Sequence, residues 1–109
     1  MELSSLVTEG LGLCGESSRV GDRSFRVLVG LVFDILLKRK DEHALSESDD
    51  LSKVDVPSLK QMYTSLVTLV LESVKTDCDN ATISSTLEDC KWGTDIIEYF
   101  TKVYQWLSD

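Results

Sequence analysis

The chain has 109 residues, about the length of one domain, which can bury a core without metal or disulfide crosslinks. Its 42% apolar and 28% charged residues are typical of a globular protein and argue against an intrinsically disordered one. Nineteen acidic residues against 11 basic ones give a net charge of −8. Such a surface repels phosphate groups, so the composition excludes nucleic acid and anionic membranes as first-choice partners and favours protein partners.

The cysteines and the one histidine indicate neither a metal site nor a disulfide framework. Cys14, Cys78 and Cys90 form no C-x-x-C pair, and His43 alone cannot complete a zinc site. The first residues lack the basic-then-apolar pattern of a signal peptide. No apolar run reaches the ~20 residues that span a bilayer. We therefore expect reduced thiols, a cytosolic or cytosol-facing location and no membrane insertion.

The first helical pattern covers residues 3–13, where apolar residues recur at spacings of three to four. Gly10 and Gly12 interrupt it, and each glycine costs a helix roughly 1 kcal/mol. We therefore expect packing, rather than intrinsic propensity, to order this helix.

The second pattern, residues 22–39, is the most apolar part of the chain. Asp22 or Ser24 can cap its start, and the basic residues 38–40 lie at its end, where cations complement the helix dipole. Because apolar residues occupy nearly all of its circumference, the pattern predicts a central helix surrounded by its neighbours.

Residues 41–50 are polar and acidic and predict a linker or surface loop, followed by a short turn at 51–54. Asp55 resembles a helix cap, and Pro57 falls in the first turn, where the missing N–H of proline costs nothing. The apolar rhythm then predicts a helix from about 57 to 76.

The end of the chain predicts two more helices. The sequence Ser85-Thr86-Leu87-Glu88 fits a capping box and indicates a short helix over 82–91. Gly93 is expected to end that helix, and Thr94 to cap the last one, at 95–108. The chain is therefore predicted to be all-α, a compact bundle of five or six helices.

The last predicted helix carries two apolar stripes, and a small bundle usually needs one. The first contains Ile97, Phe100, Tyr104 and Leu107, and the second Ile96, Tyr99, Val103 and Trp106. Aromatic residues are enriched in binding hot spots, so Trp92, Tyr99 and Trp106 are the predicted partner-binding residues. The alternative is that these rings close the core. Trp106 is the best candidate for exposure, because it is nearly terminal and its stripe lies off the main face.

No group of residues predicts catalysis, a cofactor or a metal. His43 has no apolar neighbours that would form a pocket, and the acids at 88–89 raise the pKa of Cys90 and reduce its reactivity. The glycines at 10 and 12 lack the spacing of a phosphate-binding loop. Residues 41–50 lack the glycine and the terminal glutamate of an EF-hand. We therefore predict a protein that is not an enzyme.

Four segments in the same order resemble the COMM domain-containing protein family. They are Met1–Ser4, Ser24-Phe25, Leu51–Asp55 and, above all, Ser85-Thr86-Leu87-Glu88-Asp89-Cys90-Lys91. The order Leu87 to Lys91 is the most specific, because no general structural rule requires it. The resemblance covers about residues 1–105.

The resemblance implies an all-helical N-terminal (HN) domain over residues 1–109, with the dimerising C-terminal COMM domain absent from this chain and the isolated domain monomeric. It also implies a subunit of the Commander assembly, which supports endosomal recycling of membrane cargo. The implied partners are other COMM-family proteins and coiled-coil-domain subunits, and the implied location is cytoplasmic and endosome-associated, with the nucleus as a further site. The alternative is a module that restrains NF-kappa-B signalling through transcription factors or cullin-RING ubiquitin ligases.

Overall fold

Helices account for all the regular secondary structure in the part of the chain that the computed structural model describes, residues 2–16 and 20–108, with side chains through Trp106. They are α1 (Ser5–Cys14), α2 (Asp22–Leu36), α3 (His43–Glu47), α4 (Val56–Lys75), α5 (Asn80–Asp89) and α6 (Thr94–Ser108). The helices pack into a body of 33 × 29 × 24 Å. This confirms the predicted all-α bundle of five or six helices.

Helix α2 lies at the centre of the bundle, as its apolar circumference predicts. Its buried side chains are Phe25, Leu28, Val29, Leu31, Val32 and Phe33. Neither predicted cap is found, because Gly21 occupies the N-cap position and makes no side-chain capping bond. Ser24 instead donates its hydroxyl to the carbonyl of Asp50 at 2.7 Å, and Asp22 pairs with Arg26 at 2.8 Å. Both side chains are thus engaged elsewhere.

Helix α1 lies directly against α4 at Gly10. A Cβ atom added to Gly10 would lie 2.8 Å from the carbonyl oxygen of Gln61 and would overlap the side chain of Ser65. The glycine that weakens the intrinsic helix propensity of α1 is therefore the residue that allows the two backbones to approach. Packing orders this helix, as expected.

The start of α4 follows the sequence prediction, whereas the start of α5 does not. Asp55 caps α4 by accepting the backbone N–H of Ser58 at 3.1 Å, and Pro57 lies in the first turn. Helix α5 begins at Asn80 because Asp79 caps it, accepting the N–H of Thr82 at 2.8 Å. The predicted capping box at 85–88 is wrong, since those residues lie inside a helix that has already begun.

Three helices end on a residue with positive φ that is not glycine. These residues are Lys38 after α2 (φ 61°), Asp77 after α4 (φ 51°) and Lys91 after α5 (φ 69°). In each case the next residue donates its N–H to the carbonyl five positions earlier, which is the Schellman pattern. The bonds run from Arg39 to Asp34 (2.8 Å), Cys78 to Ser73 (2.9 Å) and Trp92 to Leu87 (3.1 Å).

These ends correct two predicted boundaries. Helix α2 stops at Leu36, so the basic residues 38–40 follow the helix instead of forming its last turn. Helix α5 stops at Asp89 rather than at Gly93. Gly93 instead accepts the N–H of Ile97 at 3.1 Å, which places it at the start of α6, and Thr94 is already helical.

The polar segment 41–50 is only partly a loop, because it contains α3. The carboxylate of Asp41 accepts the N–H of His43 at 2.9 Å, and Ala44 and Leu45 pack against the core. These two apolar residues hold one short helix in an otherwise polar stretch. His43 itself is exposed, as predicted.

The Asp79 cap predicts a pH dependence of stability. Hydrogen bonds from the backbone and side chain of Thr82 hold the pKa of Asp79 below its ordinary value of 3.8. A lowered folded-state pKa adds stability above the unfolded-state value and loses it as the pH falls through the folded-state value. We expect the native protein to exceed Asp79→Asn in thermal midpoint above about pH 4. Asparagine also caps helices but does not titrate.

Circular dichroism melts of the two proteins from pH 7 to pH 2 would measure this difference. The gap between the midpoints should close on acidification. A gap that stays constant down to pH 2 would show that the charge of Asp79 contributes nothing.

Candidate interaction surface

Trp92 lies in the core and is only 5% exposed. Its indole Nε1–H donates to the carbonyl of Leu11 at 2.7 Å. The rings of Phe25 and Phe100 meet it edge-on, with centroids at 5.0 and 5.7 Å. This placement matches the alternative left open by the sequence, in which the ring closes the core, and a partner-binding role for Trp92 stays a prediction.

Tyr99 connects α6 to α2 and is half-buried. Its hydroxyl donates to the carbonyl of Arg26 at 3.4 Å, and the guanidinium of Arg26 lies 4.6 Å from the centre of its ring. Only part of Tyr99 is therefore accessible. Its contacts with α2 stabilise the packing of the two helices.

Trp106 is 70% exposed, as its position off the main face predicts. The two stripes of α6 also separate as expected. Ile97, Phe100 and Tyr104 are buried, whereas Ile96, Tyr99 and Val103 are partly buried; the side chain of Leu107 lies outside the described residues. Of the three predicted partner-binding residues, Trp106 alone presents most of its surface to solvent.

Half of the large exposed apolar side chains of the described residues lie together at one end of the bundle. Across residues 2–16 and 20–106 the large exposed apolar side chains are Leu6, Leu37, Val56, Leu71, Val74 and Trp106. Leu37, Leu71 and Val74 line one groove near the C-terminal ends of α2 and α4, and we call these three residues the apolar end. Clustered exposed apolar residues mark interaction sites, whereas isolated ones need no explanation.

A groove of about 400 Å³ opens at the apolar end. Its lining residues are Phe33, Leu36, Leu37, Val70, Leu71, Val74, Asp77 and Tyr104, and we call it the end groove. Phe33, Val70 and Tyr104 are buried, whereas Leu37, Leu71 and Val74 are exposed. The groove therefore has an apolar interior and an accessible apolar rim.

Two lysines adjoin rim residues in the sequence, but neither lines the end groove. Lys38 follows the rim residue Leu37, and Lys75 follows the rim residue Val74. Neither side chain lies within 4.0 Å of a carboxylate of the described residues, in contrast to Arg39 and Lys40, which both approach Asp34.

The acidic group in the groove is Asp77, which lies close to Tyr104. Burial raises the pKa of Tyr104, and the nearby Cys78 and Asp77 raise it further. Tyr104 is therefore a neutral phenol at physiological pH. The interior of the groove is uncharged apart from Asp77.

Sequence reasoning overlooked this groove, although a signal for it existed. The apolar pattern of α4 is wider than one contact face requires, and Leu71 belongs to the extra width. In the structure Leu71 stays exposed to solvent, because α2 ends beside this part of α4 at Leu36 and does not cover it.

The thiols are suited to structural roles. Burial raises the pKa of Cys14 to about 12. Burial also raises the pKa of Cys90, and the charge of Asp89 adds to the shift. No cluster of residues that could hold a metal ion occurs in the described part of the chain, and none of its helices is long and apolar enough to cross a membrane.

We expect iodoacetamide at pH 8 to modify native Cys78 first, because Cys78 is partly exposed whereas Cys14 and Cys90 are buried. Peptide mass spectrometry should find a single adduct in the native protein and three after unfolding in urea. Cys78→Ser is the control and should give no native adduct. Early modification of Cys14 or Cys90 would contradict the buried placement.

The helical bundle has two buried thiols and an exposed apolar groove, and exposed apolar clusters of this kind mark interaction sites. The family model described as "COMMD2-7/10, HN domain" matches residues 1–104. The chain belongs to this family of HN domains from COMM domain-containing proteins, and the resemblance found in its sequence is thereby confirmed.

Similar proteins include COMM domain-containing protein 3 of Bos taurus and of Homo sapiens, each 32% identical over 105 residues. COMM domain-containing protein 3 of Dictyostelium discoideum is 29% identical over the same length. Each match covers 96% of this chain and 54% of the relative. The chain therefore spans about half the length of the curated relatives that it matches.

Proposed function

We propose that this chain is a non-catalytic adaptor domain of a COMM-family protein and acts within the Commander assembly, which supports endosomal recycling of membrane cargo. Membership of a protein-interaction family supports the class of function. The observation that carries the proposal is the apolar end, where three of the six large exposed apolar side chains of the described residues form the rim of an open groove. Covering such a surface with a partner is favourable, because it removes apolar area from water.

The proposed partners are other COMM-family proteins and coiled-coil-domain subunits, and the proposed location is cytoplasmic and endosome-associated. In this mechanism the adaptor contributes a preformed surface and no chemistry. Its net charge of −8 keeps separate copies apart, so the isolated domain is a monomer that is held in place by other subunits.

Affinity capture of the tagged 109-residue chain from cells, with quantitative mass spectrometry, tests this function. We expect enrichment of coiled-coil-domain and COMM-family subunits over a tagged helical domain of similar size and charge. Recovery of none of these subunits would contradict the proposal. Recovery of cullin-RING ligase or NF-kappa-B components without them would replace it with the regulatory function.

A further inference from the structure

We infer that Ser46 is a phosphorylation site for an acidophilic serine/threonine kinase, and that the added phosphate releases α3 from the bundle. The kinase transfers the γ-phosphoryl group of ATP to Oγ of Ser46. The bond between the γ-phosphorus and the oxygen that bridges it to the β-phosphate breaks, and a bond from that phosphorus to Oγ forms. The hydroxyl proton goes to the catalytic aspartate of the kinase, and ADP leaves. This inference is independent of the proposed adaptor function.

The residues after Ser46 carry the charge that an acidophilic kinase recognises. Glu47 follows directly, and Asp49 and Asp50 lie three and four positions downstream. Ser46, Glu47 and Asp49 are exposed. Asp50 is half-buried and pairs with Arg23 at 3.1 Å, which leaves the first two acids accessible. A kinase with basic side chains in its substrate cleft gains charge complementarity from acids at these positions.

The short helix α3 can open to admit Ser46 to a kinase cleft. It has five residues, none of them buried, and its N-cap residue Glu42 makes no side-chain capping bond. Within α3, Ala44 and Leu45 pack against the core, and both are partly buried. Elements with few buried apolar contacts open at low free-energy cost.

Four other hydroxyl residues have an acid three positions downstream, but they lie in segments that are held more firmly. They are Ser52, Thr76, Ser85 and Thr86. Ser52 follows the buried Leu51, and Thr76 lies within the Schellman end of α4. The last two lie inside α5, on which Ile83 and Leu87 are fully buried. Ser46 therefore belongs to the segment that opens most easily.

A phosphate on Ser46 weakens α3 in three ways. Oγ of Ser46 donates to the carbonyl of His43 at 2.9 Å, and the Oγ of a phosphoserine has no proton to donate. Glu42, four positions earlier on the same helix face, and the neighbouring Glu47 repel the added charge of about −1.5 to −2. Ser46 also lies in the last turn of α3, where the helix dipole disfavours an anion.

One lysine opposes this repulsion. Lys60 of α4 lines the same groove as Ser46, together with Glu42. Lys60 is exposed, and an exposed ion pair contributes little to stability. Since two carboxylates lie beside Ser46 on its own segment and one ammonium lies on the neighbouring helix, the repulsion is the larger effect.

Release of α3 changes the surface of the bundle, because α3 packs beside apolar residues of two helices. Ala44 shares a groove with Leu31 of α2, and Leu45 shares another with Leu59 and Tyr63 of α4. These side chains become more accessible when α3 leaves. Phosphorylation of one serine therefore exposes apolar area that the unmodified domain covers.

Treatment of the 109-residue protein with casein kinase II, ATP and Mg²⁺ tests the site. We expect peptide mass spectrometry to find one phosphate, on Ser46, and none on Ser46→Ala. Asp49→Asn should be phosphorylated about tenfold more slowly, the effect of losing one close charge pair in the kinase cleft. Ser48→Ala is the matched control and should react at the native rate, because it keeps every acid that follows Ser46. Circular dichroism confirms that each variant folds.

Amide hydrogen exchange measured by NMR tests the release of α3. In the phosphorylated protein the amides of residues 43–47 should lose their protection, whereas those of α5 and α6 should keep it. Ser46→Ala lacks the bond to His43 but adds no charge, so it should retain α3 and separates the two effects.

The absence of phosphate on Ser46 would overturn the site, as would an unchanged rate in Asp49→Asn. Protection of residues 43–47 that persists after phosphorylation would overturn the release. If the phosphate binds Lys60 instead, this protection should increase, and Lys60→Ala should remove the increase. That outcome would replace the release of α3 with its fixation on α4.

Discussion

Replacing Trp92 with alanine is expected to lower the free energy of unfolding by about 3–5 kcal/mol, the range for removing a buried aromatic residue. Replacing Trp106 with alanine should change it by about 0.5 kcal/mol at most, because that ring is 70% exposed. Trp92→Ala removes the edge contacts of the indole with Phe25 and Phe100. It also removes the hydrogen bond that the indole donates to the carbonyl of Leu11. Urea unfolding followed by circular dichroism measures both changes.

Trp92→Phe separates the packing of Trp92 from its hydrogen bond. Phenylalanine keeps most of the ring contacts but donates nothing to Leu11, so the free energy of unfolding should fall by less than in the alanine variant. The carbonyl of Leu11 still accepts the N–H of Gly15 at 3.3 Å, so loss of the indole hydrogen bond should cost about 0.5–1.5 kcal/mol. Equal effects of the alanine changes at Trp92 and Trp106 would contradict the assignment of one ring to the core and the other to the surface.

Replacing Gly10 with alanine is expected to destabilise the protein by about 1–3 kcal/mol, the usual cost of overpacking. The added Cβ would lie 2.8 Å from the backbone oxygen of Gln61, so α1 and α4 must move apart. A rotamer change in Ser65 cannot relieve this contact, because the oxygen belongs to the backbone.

Gly12→Ala is the matched control within the same helix. A Cβ at Gly12 meets no atom within 4 Å, so alanine gains helix propensity without a clash. It should raise the free energy of unfolding by about 0.4–1 kcal/mol. The same chemical change two residues apart should thus have opposite signs, and urea unfolding of both variants measures it. Effects of the same sign would show that the close approach at Gly10 does not govern the packing.

The sequence predicts features that depend on neighbouring residues. The cap at Asp55, the proline at Pro57 and the central position of α2 all follow from local pattern and composition, and the structure confirms them. The predicted capping box at 85–88 is wrong because the same residues are equally compatible with a helix interior, and Asp79 caps the helix upstream of them. Local rules identify possible boundaries, and competition between adjacent caps selects among them.

Features that depend on distant residues could not be predicted in the same way. Nothing near Trp92 indicates that its indole will meet Leu11, which lies 81 positions away. Similarly, the exposure of Leu71 and Val74 depends on where α2 ends, and the left-handed residue that follows its end is Lys38 instead of a glycine that would mark the stop. The aromatic residues of α6 predicted a binding surface on that helix. The groove, in contrast, is formed by residues of three helices and has no signal within any one of them.

The bond between Trp92 and Leu11 has a consequence for the newly made chain. Helix α1 leaves the ribosome before α2 to α6, but part of its buried face is covered by Trp92, which lies 81 positions beyond Leu11. Until Trp92 has been synthesised, Leu11 cannot be fully enclosed, even if α4 has already docked. Helix α1 therefore stays partly uncovered until the junction of α5 and α6 has been made, and until then we expect it to be open to proteases.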